Sequence, residues 1–262
     1  MKKLKSILIL FVFFPVYING QNSGNNDQVE VGIEEKLDTF IPGDIRLFNQ
    51  DGDTVLLGSL VNKPTVISLV YYRCPGICSP LMNGLAEVIQ KSDMRPGDDY
   101  QVLTISFDPR ETPELAKHKR LNYLSQISKP EAAKGWFFFT GDSADIARLT
   151  DATGFRYKRA GNDFTHAAGL IVLSPEGKIT RYLNGIQFLP FEFKMAVVEA
   201  SKGQSGPTIN KLLQFCYSYD PKGQQYVLNI TRVSGIIIIF VTLAIFLILI
   251  LRPLIKHKTV TS

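Results

Sequence analysis

The chain has 262 residues, of which 45% are hydrophobic and 20% charged, a balance that leaves room for one ordinary folded domain with a real core. The formal charge of +5 is modest and part of it comes from Lys/Arg clusters at the two ends. The other basic residues are scattered without a stripe or an aromatic-basic repeat, which excludes a nucleic-acid surface, and no internal repeat marks a solenoid.

In chain order, Met1-Lys2-Lys3-Leu4-Lys5, an apolar run from Ile7 to Ile18 and Asn19-Gly20 have the order of a secretory signal over residues 1–20. An uncleaved N-terminal anchor is the alternative, because no clear A-x-A cleavage site is present. Residues 21–40 read as a polar linker, and a folded domain is expected over 41–202. Ile45 to Leu57, with Asp51-Gly52-Asp53 at its centre, reads as a hairpin. Thr65 to Tyr71 is a buried strand, and a helix follows from Pro80 to about Lys91 with Ser79 as N-cap. Tyr100 to Phe107 is a second apolar strand, followed by a helix to about Ile127 with Thr112 as N-cap and Pro113 at its first position. Trp136 to Thr140 is a third strand, and the helix from Asp142 to Thr153 stops at Gly154. Ala168 to Ser174 and Lys178 to Leu183 flank the turn Pro175-Glu176-Gly177, and Pro190 to Lys202 is a last helix. This alternation, closed by a hairpin and a helix, predicts an α/β thioredoxin-like fold: a mixed sheet with helices on both faces.

Residues 203–234 form an extension that holds Cys216. Gly235 to Leu251 is an uncharged apolar run of a length that suits one membrane crossing, which needs about 17–25 residues. Arg252, Lys256 and Lys258 follow it, so the positive-inside rule places a tail over 252–262 in the cytoplasm and the domain on the periplasmic side of the cell membrane.

Two of the three cysteines lie in Tyr71-Tyr72-Arg73-Cys74-Pro75-Gly76-Ile77-Cys78, between a predicted strand and a predicted helix. Orphan N–H groups and the helix dipole at such a place favour thiolate, which is both nucleophile and metal ligand. Pro75-Gly76 reads as the centre of a type II turn, with positive φ at the glycine. Thioredoxin-like reductases usually space their cysteines by two residues and place a cis-proline before the hairpin strand. Here the spacing is three, and Phe155 to Ser174 has no proline but holds Asp163-Phe164-Thr165-His166-Ala167-Ala168. Two thiolates and the His166 imidazole make a soft donor set that suits copper, as Cu(I) and, with a further ligand, Cu(II). Zinc accepts the same donors. A static Cys74–Cys78 disulfide beside a loop histidine is the plainer alternative, although so short a loop constrains little of the unfolded chain.

Tyr72 to Cys78 with Leu81-Met82-Asn83-Gly84-Leu85, then Ser106-Phe107-Asp108-Pro109-Arg110-Glu111-Thr112-Pro113, then His166-Ala167-Ala168-Gly169, resemble the Sco/SenC family of copper-binding thioredoxin-fold proteins over roughly Ile41 to Lys202. Phe215-Cys216-Tyr217-Ser218-Tyr219-Asp220-Pro221, before the apolar run, resembles a bacterial branch of that family. The resemblance implies copper held by Cys74, Cys78 and His166, and a role in assembling the dinuclear CuA site of cytochrome c oxidase. The partners it implies are a copper-receiving oxidase subunit and the membrane. Many members are anchored by an N-terminal helix, whereas this chain places its apolar run last.

Asp108 reads either as an acceptor or partner contact beside the site or as a turn residue before Pro109. Cys216 has aromatic neighbours that favour buried packing, with thiol exchange, intermolecular pairing or a further metal ligand as alternatives. His118 reads as solvated, and His257 falls on the far side of the predicted span. Two functions follow: a membrane-anchored metallochaperone, or a periplasmic thiol-disulfide oxidoreductase in which Cys74 attacks and Cys78 resolves, reducing the oxidase copper site. A thioredoxin-superfamily peroxidase would leave His166 without a purpose.

Overall fold

The computed structural model describes residues 31–206 and, beyond them, 217–220, 225–228 and positions scattered between 234 and 248. The expected signal, Cys216, His257 and the expected tail lie outside the described residues, as does part of 235–251. Among the described residues no helix is long and apolar enough to cross a membrane.

The elements run in chain order as β1 (Gly32–Ile33), β2 (Arg46–Asn49), β3 (Thr54–Leu56), α1 (Leu57–Leu60), β4 (Thr65–Val70), α2 (Cys78–Lys91) and β5 (Gln101–Ser106). There follow α3 (Pro113–Leu124), α4 (Ala132–Gly135), β6 (Trp136–Thr140), α5 (Ser143–Ala152), β7 (Phe155–Ala160), β8 (Asp163–His166), β9 (Gly169–Leu173), β10 (Ile179–Asn184) and α6 (Pro190–Ser201). A short antiparallel pair, β11 (Tyr217–Asp220) and β12 (Gln225–Leu228), stands apart in sequence.

The main sheet has seven strands in the order β10-β9-β4-β5-β6-β2-β3. β4, β5 and β6 are parallel, while β9 runs antiparallel to β4 and β2 antiparallel to β6. Every residue of β4 and β5 is buried, the pattern of strands covered on both faces. Trp136, Tyr100, Tyr182, Phe107, Phe138 and Phe193 are the largest fully buried side chains of the core. This is the mixed, thioredoxin-like arrangement expected from the sequence.

Local chemistry accounts for several boundaries. The Thr112 side chain accepts from the Leu115 N–H and Pro113 occupies the first turn of α3, while the Asp142 carboxylate accepts from the Ala144 and Asp145 N–H groups and starts α5. Gly154 ends α5 at φ +66, a conformation that L side chains rarely adopt.

Other expectations need correction. α2 starts two residues before Pro80, with Ile77 rather than Ser79 at the N-cap and no side-chain cap. The first helical bond runs from the Leu81 N–H to the Ile77 carbonyl, so Pro80 still lies where no N–H is needed. Gly76 is absent from the positive-φ residues, so no type II turn forms there. The tight turn lies earlier, where the Cys74 N–H donates to the Tyr71 carbonyl at 3.2 Å. Residues 32–40, expected within a linker, pack on the domain: β1 pairs with β7, the Lys36 N–H donates to the Tyr182 hydroxyl, and the Ile179 N–H donates to the Thr39 carbonyl. The loop expected ahead of the Ala168–Ser174 strand instead forms β7 and β8, which with β1 make a second sheet in the order β1-β7-β8, with His166 as the last residue of β8.

Candidate metal centre

Two segments distant in sequence meet beyond the end of β4. That strand passes into the exposed stretch 73–77, α2 then begins with Cys78, and β8 brings His166 over them. The Sγ atoms of Cys74 and Cys78 and an imidazole nitrogen of His166 all lie within 4.8 Å of one another. Among the described residues this is the one such group of potential ligands. Both cysteines are free thiols, so the static disulfide is not what the structure holds.

The three donors differ in access. Cys78 and His166 are buried, whereas Cys74 is half-buried with Pro75, Gly76 and Ile77 exposed beside it. His166 sits in an aromatic box, with its ring centroid 5.1 Å from Phe107, 5.8 Å from Tyr71 and 6.0 Å from Phe155. Its Nδ1 lies 2.8 Å from the Ala167 carbonyl oxygen, which can only accept, so Nδ1 carries the proton. Nε2 is therefore left to face the Cys78 Sγ at 3.2 Å. Burial holds the imidazole below its usual pKa, against the opposing pull of the Ala167 carbonyl, and so keeps it neutral.

The expectation that the helix terminus favours both thiolates fails at Cys78. Burial pushes this thiol well up, overcoming a lowering contact with the Tyr71 backbone, and the neighbouring Cys74 and Glu111 push it further. A neutral thiol donating to a neutral imidazole is thus the metal-free state. Bonds of roughly 2.0–2.3 Å to nitrogen and sulfur, the lengths known for zinc, space the ligands of a trigonal or tetrahedral ion about 3.5–4 Å apart. The observed cluster needs only small adjustments to reach that spacing, and its soft donors and apolar wall fit a soft ion.

Sequence reading missed Glu111, which had seemed only to precede a helix. Its buried carboxylate accepts from the Tyr72 N–H at 2.6 Å, the Arg73 N–H at 2.8 Å and the Ser106 hydroxyl at 2.6 Å. It thereby fixes the backbone that leads into Cys74. Asp108 also finds a definite partner. Its carboxylate takes the Arg110 guanidinium in a two-pronged pair, Nε to Oδ1 at 2.8 Å and Nη2 to Oδ2 at 2.7 Å. It is not among the clustered ligand atoms. His118 is exposed on α3, as expected.

A family model described as SCO1/SenC matches residues 34–197. The SCO1 protein homolog of Bacillus subtilis (strain 168) is 26% identical over 149 residues, covering 55% of this chain and 74% of the relative. A crystal structure from Aquifex aeolicus VF5 is similar with a TM-score of 0.58 and 36% identity, over 64% of this chain and 95% of that one. The structure of Arabidopsis thaliana ScoI with copper bound aligns with a TM-score of 0.51 and 22% identity, over 62% of this chain and 99% of that one, a likeness of fold. The matched span holds both cysteines, the histidine, Asp108 and Glu111, and covers most of the described domain: the chain belongs to the SCO1/SenC family.

Proposed function

We propose that this chain is a membrane-anchored copper metallochaperone that carries copper on Cys74, Cys78 and His166 and helps assemble the CuA centre of cytochrome c oxidase. The observation that supports this most directly is the convergence of two free thiols and an imidazole, their donor atoms within 4.8 Å, in an aromatic-walled pocket. The copper-bound Arabidopsis relative has the same fold, and the oxidase role rests on the family.

The asymmetry of the site suits transfer. Cys78 and His166 are held by burial, and Cys74 stands at the rim, where a ligand from a recipient can approach and take over the cargo by exchange. Loading requires Cys78 to give up its proton, so copper competes with a thiol that burial keeps protonated. Anchoring through the apolar run 235–251, with the domain in the periplasm, would raise the effective concentration of a recipient in the same membrane.

The test is copper stoichiometry on the reduced full-length chain in detergent, with anaerobic Cu(I) and aerobic Cu(II), together with the sulfur-to-Cu(II) charge-transfer absorption. One copper per chain is expected, with the band lost in Cys78→Ala and shifted in His166→Ala. Parent-like binding in Cys74→Ala and His166→Ala would sink the reading. The partial exposure of Cys74 favours thiol-disulfide exchange as a second reading. Rapid exchange without stoichiometric copper, unaffected by His166→Ala, would establish it instead.

A further inference from the structure

His166 reaches the thiols from the edge of a small sheet. β8 is hydrogen-bonded to β7 alone, with Tyr157 opposite His166 and Ala160 opposite Asp163, and β7 is tied to the two-residue β1. A short edge strand of this kind leaves its far face to be fixed by side chains. Residues two apart on a strand face the same way, so Phe164 and His166 lie on one face. Phe164 packs at 5.3 Å on Tyr71 and 5.4 Å on Phe107, the same rings that wall the imidazole.

One cation holds this hairpin from outside. Arg110 donates from Nη2 to the Asn162 carbonyl at 3.0 Å, in the turn between β7 and β8, and its guanidinium carbon lies 5.5 Å over the Phe164 ring. The guanidinium is itself fixed by Asp108, which is 2% exposed and accepts from Arg110 Nε, Nη2 and the backbone N–H. A planar fork can meet a carboxylate in two places and still present a donor and a stacking face to a third group, which a lysine cannot do. The next residue, Glu111, holds Tyr72 and Arg73 before Cys74. Consecutive residues of one loop thus reach the histidine hairpin and the cysteine segment.

We propose that Arg110, braced by Asp108, is a positioning residue that sets the His166 hairpin over Cys74 and Cys78, and so determines whether copper gains the imidazole as its third ligand. The inference rests on the copper reading above and adds what governs the ligand count. Without Arg110 the two sulfurs still hold Cu(I), which tolerates two ligands, while Cu(II), which needs the nitrogen, is held more weakly.

The experiment compares the parent, Arg110→Ala, Arg110→Lys, His166→Ala and the double variant Arg110→Ala/His166→Ala as full-length chains. The readouts are Cu(II) affinity, the thiolate charge-transfer band, nitrogen hyperfine coupling in the Cu(II) EPR spectrum, and amide exchange at residues 162–166 without metal. In Arg110→Ala we expect Cu(II) affinity at least 10-fold lower, weakened nitrogen coupling, about 10-fold faster exchange confined to the hairpin, and Cu(I) still bound at one per chain. Arg110→Lys should fall between, and the double variant should bind Cu(II) no worse than His166→Ala alone. Parent-like nitrogen coupling in Arg110→Ala, or losses that add in the double variant, would overturn the inference and leave the copper reading standing. A parent that takes up no copper would overturn both. Should Arg110→Ala not fold, Asp108→Asn carries the same test, and parent-like nitrogen coupling there overturns the brace.

Discussion

Removing the Glu111 carboxylate should destabilise the domain by an amount set by its hydrogen bonds. Glu111→Ala strips the acceptor from the Tyr72 N–H, the Ser106 hydroxyl and the Arg73 N–H. Tyr72 and Ser106 are buried, so their donors have no water to turn to, whereas exposed Arg73 can be rehydrated. At about 1–3 kcal/mol for each orphaned buried donor, with the Ser106 hydroxyl free to rotate, the expected loss is about 3 kcal/mol. That is a large fraction of a total of about 5–15 kcal/mol. Glu111→Gln can keep its oxygen where Oε2 accepts from Tyr72 and Ser106 and lose only the bond from exposed Arg73, so it should cost only about 1–2 kcal/mol. Urea unfolding of the metal-free chain reads this through the single tryptophan, Trp136, which is fully buried. With a slope of roughly 2 kcal/mol per molar, Glu111→Ala should lower the midpoint by about 1.5 M at unchanged slope. An Ala variant within 0.5 M of the parent, or a Gln variant as damaged as Ala, would refute the assignment of Glu111 as the anchor of the cysteine segment.

Three further outcomes are expected. Gly84→Ala should lower the melting temperature despite alanine's higher helix propensity, because a Cβ there runs into the Ile186 backbone carbonyl; a cost of about 1–3 kcal/mol is expected, and a raised melting temperature would contradict it. Asp142→Ala removes the cap that accepts from Ala144 and Asp145 and should cost about 1 kcal/mol in urea unfolding, with Asp142→Asn restoring most of it. Burial alone would raise the Asp145 pKa, but bonds from Arg46 and Arg148 outweigh it and hold the carboxyl below its usual range. Its contribution to stability is therefore complete above the unfolded-chain value of about 3.9 and is lost as pH falls through the lower folded value. Asp145→Asn should flatten the stability-pH slope below about pH 4, and an unchanged slope would show that the pair is inert.

The elements that the sequence announced were those whose signals are local. Thr112-Pro113 and Asp142 stand beside the N–H groups they cap, Gly154 supplies its own positive φ, and β4 and β5 carry apolar runs, so all were legible. The donors Cys74, Cys78 and His166 were legible as a set because soft ligands are few, and their convergence followed from a recognisable family pattern. What could not be read depends on contacts between distant segments. β8 pairs with β7 although its sequence, Asp163-Phe164-Thr165-His166, has a single large apolar residue, and β1 has only two residues, so neither gives a strand pattern. The state of Cys78 turned on a competition that sequence cannot weigh: a helix terminus favours the thiolate, burial opposes it, and only the packed structure shows that burial wins. Glu111 poses the same problem in sharper form. Its donors are 5, 38 and 39 residues away, so a carboxylate that in the sequence merely precedes a helix N-cap becomes, once folded, the acceptor that shapes the approach to a metal ligand. A site assembled across such separations is specified by residues that never touch the metal, and substitutions in the 108–112 loop should therefore disturb copper binding while all three donors remain in place.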